Sequence, residues 1–253
     1  MLDLHPAQWL LGGLCAVLVG MAKTGVPGLG ILVVPLMFAV VPPPLNGPGT
    51  LLPLLCAADC FGVLYFRRHA RAWDLMHLFP WVAGGIALGA GVLHLVSDQT
   101  MRVVVGVIVL LMVAAHLMRK RVPDQVLLGG SGASARGWRR ALLFGVVTGF
   151  ATTVANAAGP VMNLYLLAMD LPKDQFMGTG AWFFFLVNLI KVPIYLSRGW
   201  IDGQSLLLDA CLLPGVLLGA LIGKRIYDRI PQRAFEITVL TLTVLAGISL
   251  LVR

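Results

Sequence analysis

GMAKTGVPGLG, from Gly20 to Gly30, and GFATTVANAAG, from Gly149 to Gly159, are the two stretches on which the reading of this chain turns. Offset by 129 residues, the distance from Gly20 to Gly149, they match at Gly20 with Gly149, Ala22 with Ala151, Thr24 with Thr153 and Gly30 with Gly159. A proline follows each, Pro35 in one case and Pro160 in the other. Each stretch sits within an apolar run of membrane length, Leu10 to Val41 and Ala141 to Met169. Small, helix-breaking and polar residues there would expose backbone groups that lipid cannot satisfy. Such backbone is tolerated where it lines a site.

The chain has 253 residues, of which 58% are hydrophobic and 12% charged. Its mean hydropathy is +0.90. That composition excludes an ordinary soluble domain and makes the lipid bilayer the first expected partner. The net charge of +8 comes from basic residues in brief runs between apolar segments. This is the positive-inside pattern of a polytopic protein, so no nucleic-acid partner is expected. No charged leader with a cleavage site precedes the first run, and a removable signal peptide is not expected. Cys15, Cys56, Cys60 and Cys211 all fall in apolar segments and read as small buried hydrophobes. Cys56 and Cys60 are one helical turn apart, but no His or second close pair joins them as a metal site, and no cofactor is expected.

Apolar runs fall at about 10 to 41, 51 to 66, 76 to 96, 103 to 118, 141 to 169, 176 to 196, 205 to 223 and 235 to 252. They make two sets of four. The repeat extends to GGIALGAG, Gly84 to Gly91, and PGVLLGALIG, Pro214 to Gly223, with Gly85 aligned to Gly215 and Gly89 to Gly219. Their Gly-xxx-Gly and Gly-xxx-Ala spacings suit close helix packing. Basic clusters follow the second run (Arg67, Arg68, Arg71), the fourth (Arg119, Lys120, Arg121, Arg136, Arg139, Arg140) and the seventh (Lys224, Arg225, Arg229, Arg233). The positive-inside rule makes all three loops cytoplasmic.

Eight simple crossings cannot satisfy that assignment, because three runs separate the last two loops. The conflict disappears if the fifth run, broken at Gly159-Pro160, dips in and returns or crosses twice as short helices. Each half then crosses an odd number of times, and the halves are inserted upside down relative to each other. The expected fold is therefore an all-α polytopic membrane protein of two inverted repeats, each a broken or re-entrant first segment followed by three spanning helices. Its expected divisions are a first repeat at 1–121, a cytoplasmic linker at 122–140 that is flexible from Val122 to Gly137, and a second repeat at 141–253. Both termini should lie outside.

Charged residues deep in apolar runs need a reason. Lys23 is read either as a site residue or as the partner of Asp59. Lys191 shares a helical face with Asn188, three residues before it, and is read as a site residue or as a lysine snorkelling to water. Asp59 falls opposite Asn188 under the repeat alignment, and is read either as a proton-accepting coupling group or as a lysine's counter-ion. Asp209, Glu236, His94 and His116 lie near run ends and are expected to be solvated. Thr152, Thr153 and Asn156 precede Gly159, and Thr179 opens the next run. Hydroxyls, a carboxamide and the amides freed at a broken helix can replace an anion's hydration shell, or can simply join helices.

GMAKTGVPGLGILVVPLM, TTVANAAGPVMNLYLL followed by KDQFMGT, and NLIK in the next run resemble the sulfite exporter TauE/SafE family, also called the TSUP permeases. The resemblance covers essentially the whole chain. It implies a secondary transporter of the bacterial inner membrane for small sulfur-containing or organic anions, such as sulfite or sulfonated acids, by export or uptake, with export the expected direction. The positions matching the family pattern are Lys23, Asn156, Gly159, Thr179, Asn188 and Lys191; Gly30 and Thr152 join them as expected substrate contacts. The mechanism implied is alternating access to a mid-membrane site between the repeats. A passive anion channel is the alternative, but it would need a continuous polar stripe, and the runs carry isolated polar clusters. No Walker A, HExxH or GxSxG motif occurs, so neither ATP drive nor enzymatic activity is expected.

Overall fold

A computed structural model of the chain describes residues 5–40, 47–92, 98–119, 133–155, 158–197 and 199–252. Among the described residues there are helices and no strands. In chain order the helices are α1 (Pro6–Thr24), α2 (Gly30–Val40), α3 (Gly47–Phe66), α4 (Ala72–Val92), α5 (Asp98–Arg119), α6 (Ala133–Ala155), α7 (Ala158–Ala168), α8 (Lys173–Ser197), α9 (Gly203–Arg229) and α10 (Gln232–Val252), with a 3-10 turn, Arg67–His69, after α3. They form two compact units. The first comprises Met1–Ala70 and Pro172–Phe235, the second Arg71–Leu171 and Glu236–Arg253. Each unit takes helices from both halves of the sequence.

In the first unit the opening apolar run folds back on itself. His5 caps α1 through a reciprocal pair with Gln8, and Pro6 occupies the first turn, where its missing N–H costs nothing. The helix ends at Gly25, and Gly28 takes a φ of 107°, which a side chain would strain. α2 then returns antiparallel to α1: Cys15 Sγ lies 3.6 Å from the Val33 carbonyl, and Gln8 Nε2 donates to the Val40 carbonyl at 3.2 Å.

α9 runs parallel to α1 at very close range. A Cβ on Gly20 would collide with the backbone of Val216 and Ala220, and one on Gly219 with that of Val17. Thr24 fixes the register, its hydroxyl donating to the Ala220 carbonyl at 2.8 Å. α3 and α8 run antiparallel. Gly49 at the start of α3 abuts the backbone of Trp200 beyond the end of α8, and Gly178 near the start of α8 abuts Phe66, His69 and Ala70. The core between α1, α2, α3 and α9 is apolar, with Cys15, Val19, Val33, Met37, Leu51, Leu54, Leu208 and Leu212 buried together.

The second unit repeats the close contact. α6 runs parallel to α4; a Cβ on Gly149 would collide with the backbone of Val82 and Ile86, and one on Gly85 with that of Val146. In both units a G-xxx-T segment, Gly20–Thr24 or Gly149–Thr153, packs on a P-x-V-xx-G-xxx-G helix, Pro80–Gly89 or Pro214–Gly223. The contacts correct the expected glycine alignment by one turn. Gly85 corresponds to Gly219, since each crosses its partner helix at Val146 or Val17, and Gly89 corresponds to Gly223, since each meets Thr153 or Thr24. α7 folds against α6, with Phe144 and Tyr165 rings 5.5 Å apart, over a core of Val109, Val113, Ala151, Val161 and Leu164.

Four described helices are long and apolar enough to cross a membrane: Pro6–Thr24, Gly49–His69, Lys173–Ser197 and Gly203–Arg229. Large apolar side chains face outward from all four, including Leu10, Leu64, Ile190 and Leu218, each more than half exposed. Helices that are apolar on the outside as well as the inside suit lipid rather than water. This is a multi-pass membrane protein.

Several expectations change. Gly159 and Pro160, read as the break in the fifth run, are helical and lie in the first turn of α7 as described, where proline is tolerated, while 156–157 lie outside the described residues. α6 already begins at Ala133, inside the stretch read as flexible linker, while 120–132 lie outside the described residues. Of the four cysteines only Cys15 is buried; Cys60 and Cys211 are exposed on apolar helix surfaces. Asp209 is buried, because it lies on the face of α9 turned toward the apolar core rather than at a solvated end. His94 lies outside the described residues.

Candidate functional site

The polar cluster of the first unit is built where α1, α3 and α8 meet. Asp59 stands midway along α3 and is fully buried. Lys23, in the last turn of α1, places its ammonium 2.8 Å from Asp59 Oδ1. Asn188 of α8 donates from Nδ2 to Asp59 Oδ2 at 2.7 Å. Both carboxylate oxygens are therefore engaged, one by a charge and one by a carboxamide. The approach depends on Gly62, one turn beyond Asp59, where a Cβ would come to 3.0 Å of the Lys23 carbonyl.

Lys23 also sits over the ring of Phe184, 4.3 Å from its centroid, and only 14% of its side chain is exposed. A ring face stabilises an ammonium most where water is excluded. Phe184 went unnoticed in the sequence, although its position four residues before Asn188 puts it on the same face of α8. Lys191 lies one turn beyond Asn188 and is close enough to Lys23, Asp59 and Cys56 for their charges to act on one another. Two ammonium groups and one carboxylate thus occupy a single low-dielectric region. In such a region the Asn188 amide or an ammonium group can turn an N–H from the carboxylate to an anion's oxygens.

The remaining expected residues are distributed differently. Thr179 lies on α8 toward its start and is fully buried. Gly30 opens α2, and a Cβ there would meet open space. Thr152, buried on α6, and Gly159, open-faced in the first turn of α7, belong to the second unit. Asn156 lies outside the described residues. The structure brings Lys23, Asp59, Asn188 and Lys191 together, and places Thr179 and Gly30 in the same unit.

One end of the first unit carries the basic clusters after α3 and α9. Phe66 and Tyr227 rings stack edge-on 4.9 Å apart, and Lys224 lies over both. Lys173 opens α8 by donating to the Tyr227 and Ile230 carbonyls at 3.1 and 3.0 Å, which satisfies the end of α9. Tyr227 donates to Asp174 beside it. Among the described residues no cluster of His, Cys, Asp or Glu could hold a metal.

A family model described as Sulfite exporter TauE/SafE matches residues 11–250. No curated protein and no solved structure matches the chain.

Proposed function

The chain belongs to the sulfite exporter TauE/SafE family, whose members are transporters, and from that premise we propose that it is a secondary transporter that exports a small sulfur-containing or organic anion, such as sulfite or a sulfonated acid, across the bacterial inner membrane. The observation that carries the reading is the buried cluster of Lys23, Asp59, Asn188 and Lys191, at the meeting of helices from both halves of the sequence. Lys23 and Lys191 attract the anion, Asn188 orients one of its oxygens, and Asp59 holds Lys23 in place between transport cycles. Thr179 and the amides at Gly30 complete its hydration shell. Thr152, Asn156 and Gly159 are assigned the matching role in the second repeat.

The arrangement that suits this function is a pair of inverted repeats, 1–121 and 141–253, joined by a cytoplasmic linker at 122–140. Three relationships support it: the G-xxx-T helix of each half lies on the P-x-V-xx-G-xxx-G helix of the other, Asp59 contacts its repeat equivalent Asn188, and Gly49 and Gly178 pack reciprocally. A residue that touches its own equivalent lies on a two-fold axis. In that plan α1 enters from outside, α2 returns, and the arginine-rich end of α3 is cytoplasmic. Alternating access follows from movement of one set of helices past the other around the anion.

The test is flux of radiolabelled sulfite into vesicles reconstituted with purified protein. Saturable uptake, accelerated by unlabelled sulfite inside, is the expected result. A conductive, non-saturating flux overturns the carrier in favour of a pore, and no flux of any sulfur oxyanion or sulfonate overturns the substrate class.

A further inference from the structure

We infer that Asp209 is a proton-binding site, separate from the Lys23–Asp59 cluster, and that it is the group through which a proton gradient acts on the transported anion. The coupling role rests on the transport reading above; the protonation does not. Asp209 lies in the second turn of α9, 5% exposed, and among the described residues neither carboxylate oxygen has a hydrogen-bond partner. Its helix neighbours Leu208 and Leu212 are part of the apolar core shared with α1, α2 and α3.

Among the described residues no basic side chain forms an ion pair with Asp209. α1 contributes Cys15, within electrostatic reach of Asp209 and itself bonded to the Val33 carbonyl and near Met37. The other titratable group of α1 is Lys23, committed to Asp59. α2 carries no titratable residue. α3 carries Cys56, Asp59, Cys60 and Tyr65; the charges of the first three act on one another and, for Cys56 and Asp59, on Lys23 and Lys191, while Cys211, two residues on along α9, is exposed. At the start of α3, Thr50 is also fully buried, and its hydroxyl has no hydrogen-bond partner among the described residues. An isolated carboxylate in such a place costs far more than a neutral acid. The neutral form needs a proton, and Asp209 has a second use for it: the acid O–H can donate where a carboxylate cannot.

Asp59 is poorly suited to the same task. Its two oxygens already face the Lys23 ammonium and the Asn188 amide. Asp209, six residues into α9, needs only a local parting of α1, α3 and α9 to reach water and release its proton. Proton binding at Asp209 and anion binding near Lys191 then involve different residues on the same helix bundle.

Two measurements on the purified, reconstituted full chain test this. The first is infrared difference spectroscopy between wild type and Asp209→Asn at neutral pH. The protonated-carboxyl C=O band should be present in wild type, absent in Asp209→Asn, and shifted but retained in Asp209→Glu. A wild-type spectrum without the band, or one unchanged by Asp209→Asn, overturns the site. The second is sulfite accumulation driven by an imposed pH gradient. Asp209→Asn should retain one-for-one sulfite exchange within about twofold of wild type, yet lose gradient-driven accumulation. A variant that still accumulates sulfite overturns the coupling. If neither protein moves sulfite, the transport reading fails together with the coupling, and the infrared band still decides the proton.

Discussion

Asn188 Nδ2 lies 2.7 Å from Asp59 Oδ2, and the bond ties α8 to α3 at the crossing of two antiparallel helices. The other oxygen of the same carboxylate is held by Lys23 of α1. Three helices therefore share one buried charge. Removing Lys23 alone leaves that charge without its counter-ion, which costs about 3–5 kcal/mol in a low-dielectric interior. Lys23→Met is accordingly expected to unfold at markedly lower denaturant, as is Asp59→Leu. The double variant Lys23→Met/Asp59→Leu should recover most of the loss, because the charge and its partner disappear together. Equal and additive losses would show that the pair is not the structural joint described.

Lys191 offers a second test of substrate contact, since its charge acts on Asp59 and Lys23 while the Asp59 ion pair itself is made by Lys23. Lys191→Met should leave thermal stability close to wild type and weaken sulfite binding by at least about tenfold, near 1.4 kcal/mol. Lys191→Arg should restore part of it. Isothermal binding together with a melting curve decides between contact and scaffold.

The glycine contacts give predictions that need no substrate. At Gly20 and Gly149 an added methyl meets backbone, which cannot yield, so alanine at either position should destabilise by about 1–3 kcal/mol or more. At Gly13 and Gly84 there is nothing within 4 Å, and alanine there should be neutral or stabilising by up to about 1 kcal/mol. Denaturation of the four single variants would separate packing glycines from spare ones.

Much of this architecture could be read from the amino acids. The two broken stretches announced themselves because Gly, Thr and Pro interrupt apolar runs, and α1 with α2 does fold back at Gly25 to Leu29. The matched positions of Asp59 and Asn188 pointed to equivalent depths, though not to contact. Other features were hidden. Gly-xxx-Gly repeats every turn, so similarity alone could not tell Gly85–Gly215 from Gly85–Gly219; only the crossing points with Val17 and Val146 do. Asp209 looked terminal because it lies near the start of the apolar run read at about 205 to 223. Asp202 instead caps α9 through Ser205, starting the helix at Gly203 and turning Asp209 into the core. Cys60 and Cys211 misled for a related reason, since in lipid an apolar residue is as much at home outside as inside.

Topology makes a further prediction. In a background lacking Cys15, Cys56, Cys60 and Cys211, cysteines placed at His69 and Arg233 should resist an impermeant thiol reagent added to intact cells, whereas one at Trp200 should react. The first two mark the arginine-rich ends of α3 and α9, and the third marks the turn between α8 and α9. Reaction at His69 and Arg233 would reverse the assigned orientation.

The central claim is that the buried cluster carries an anion through a carrier cycle, and sulfite counterflow measures it most directly. Vesicles loaded with unlabelled sulfite and diluted into trace labelled sulfite should show a transient overshoot of label with wild-type protein. Asn188→Leu and Lys191→Met should each reduce it at least about tenfold while remaining folded. An overshoot that persists undiminished in both variants would contradict the account.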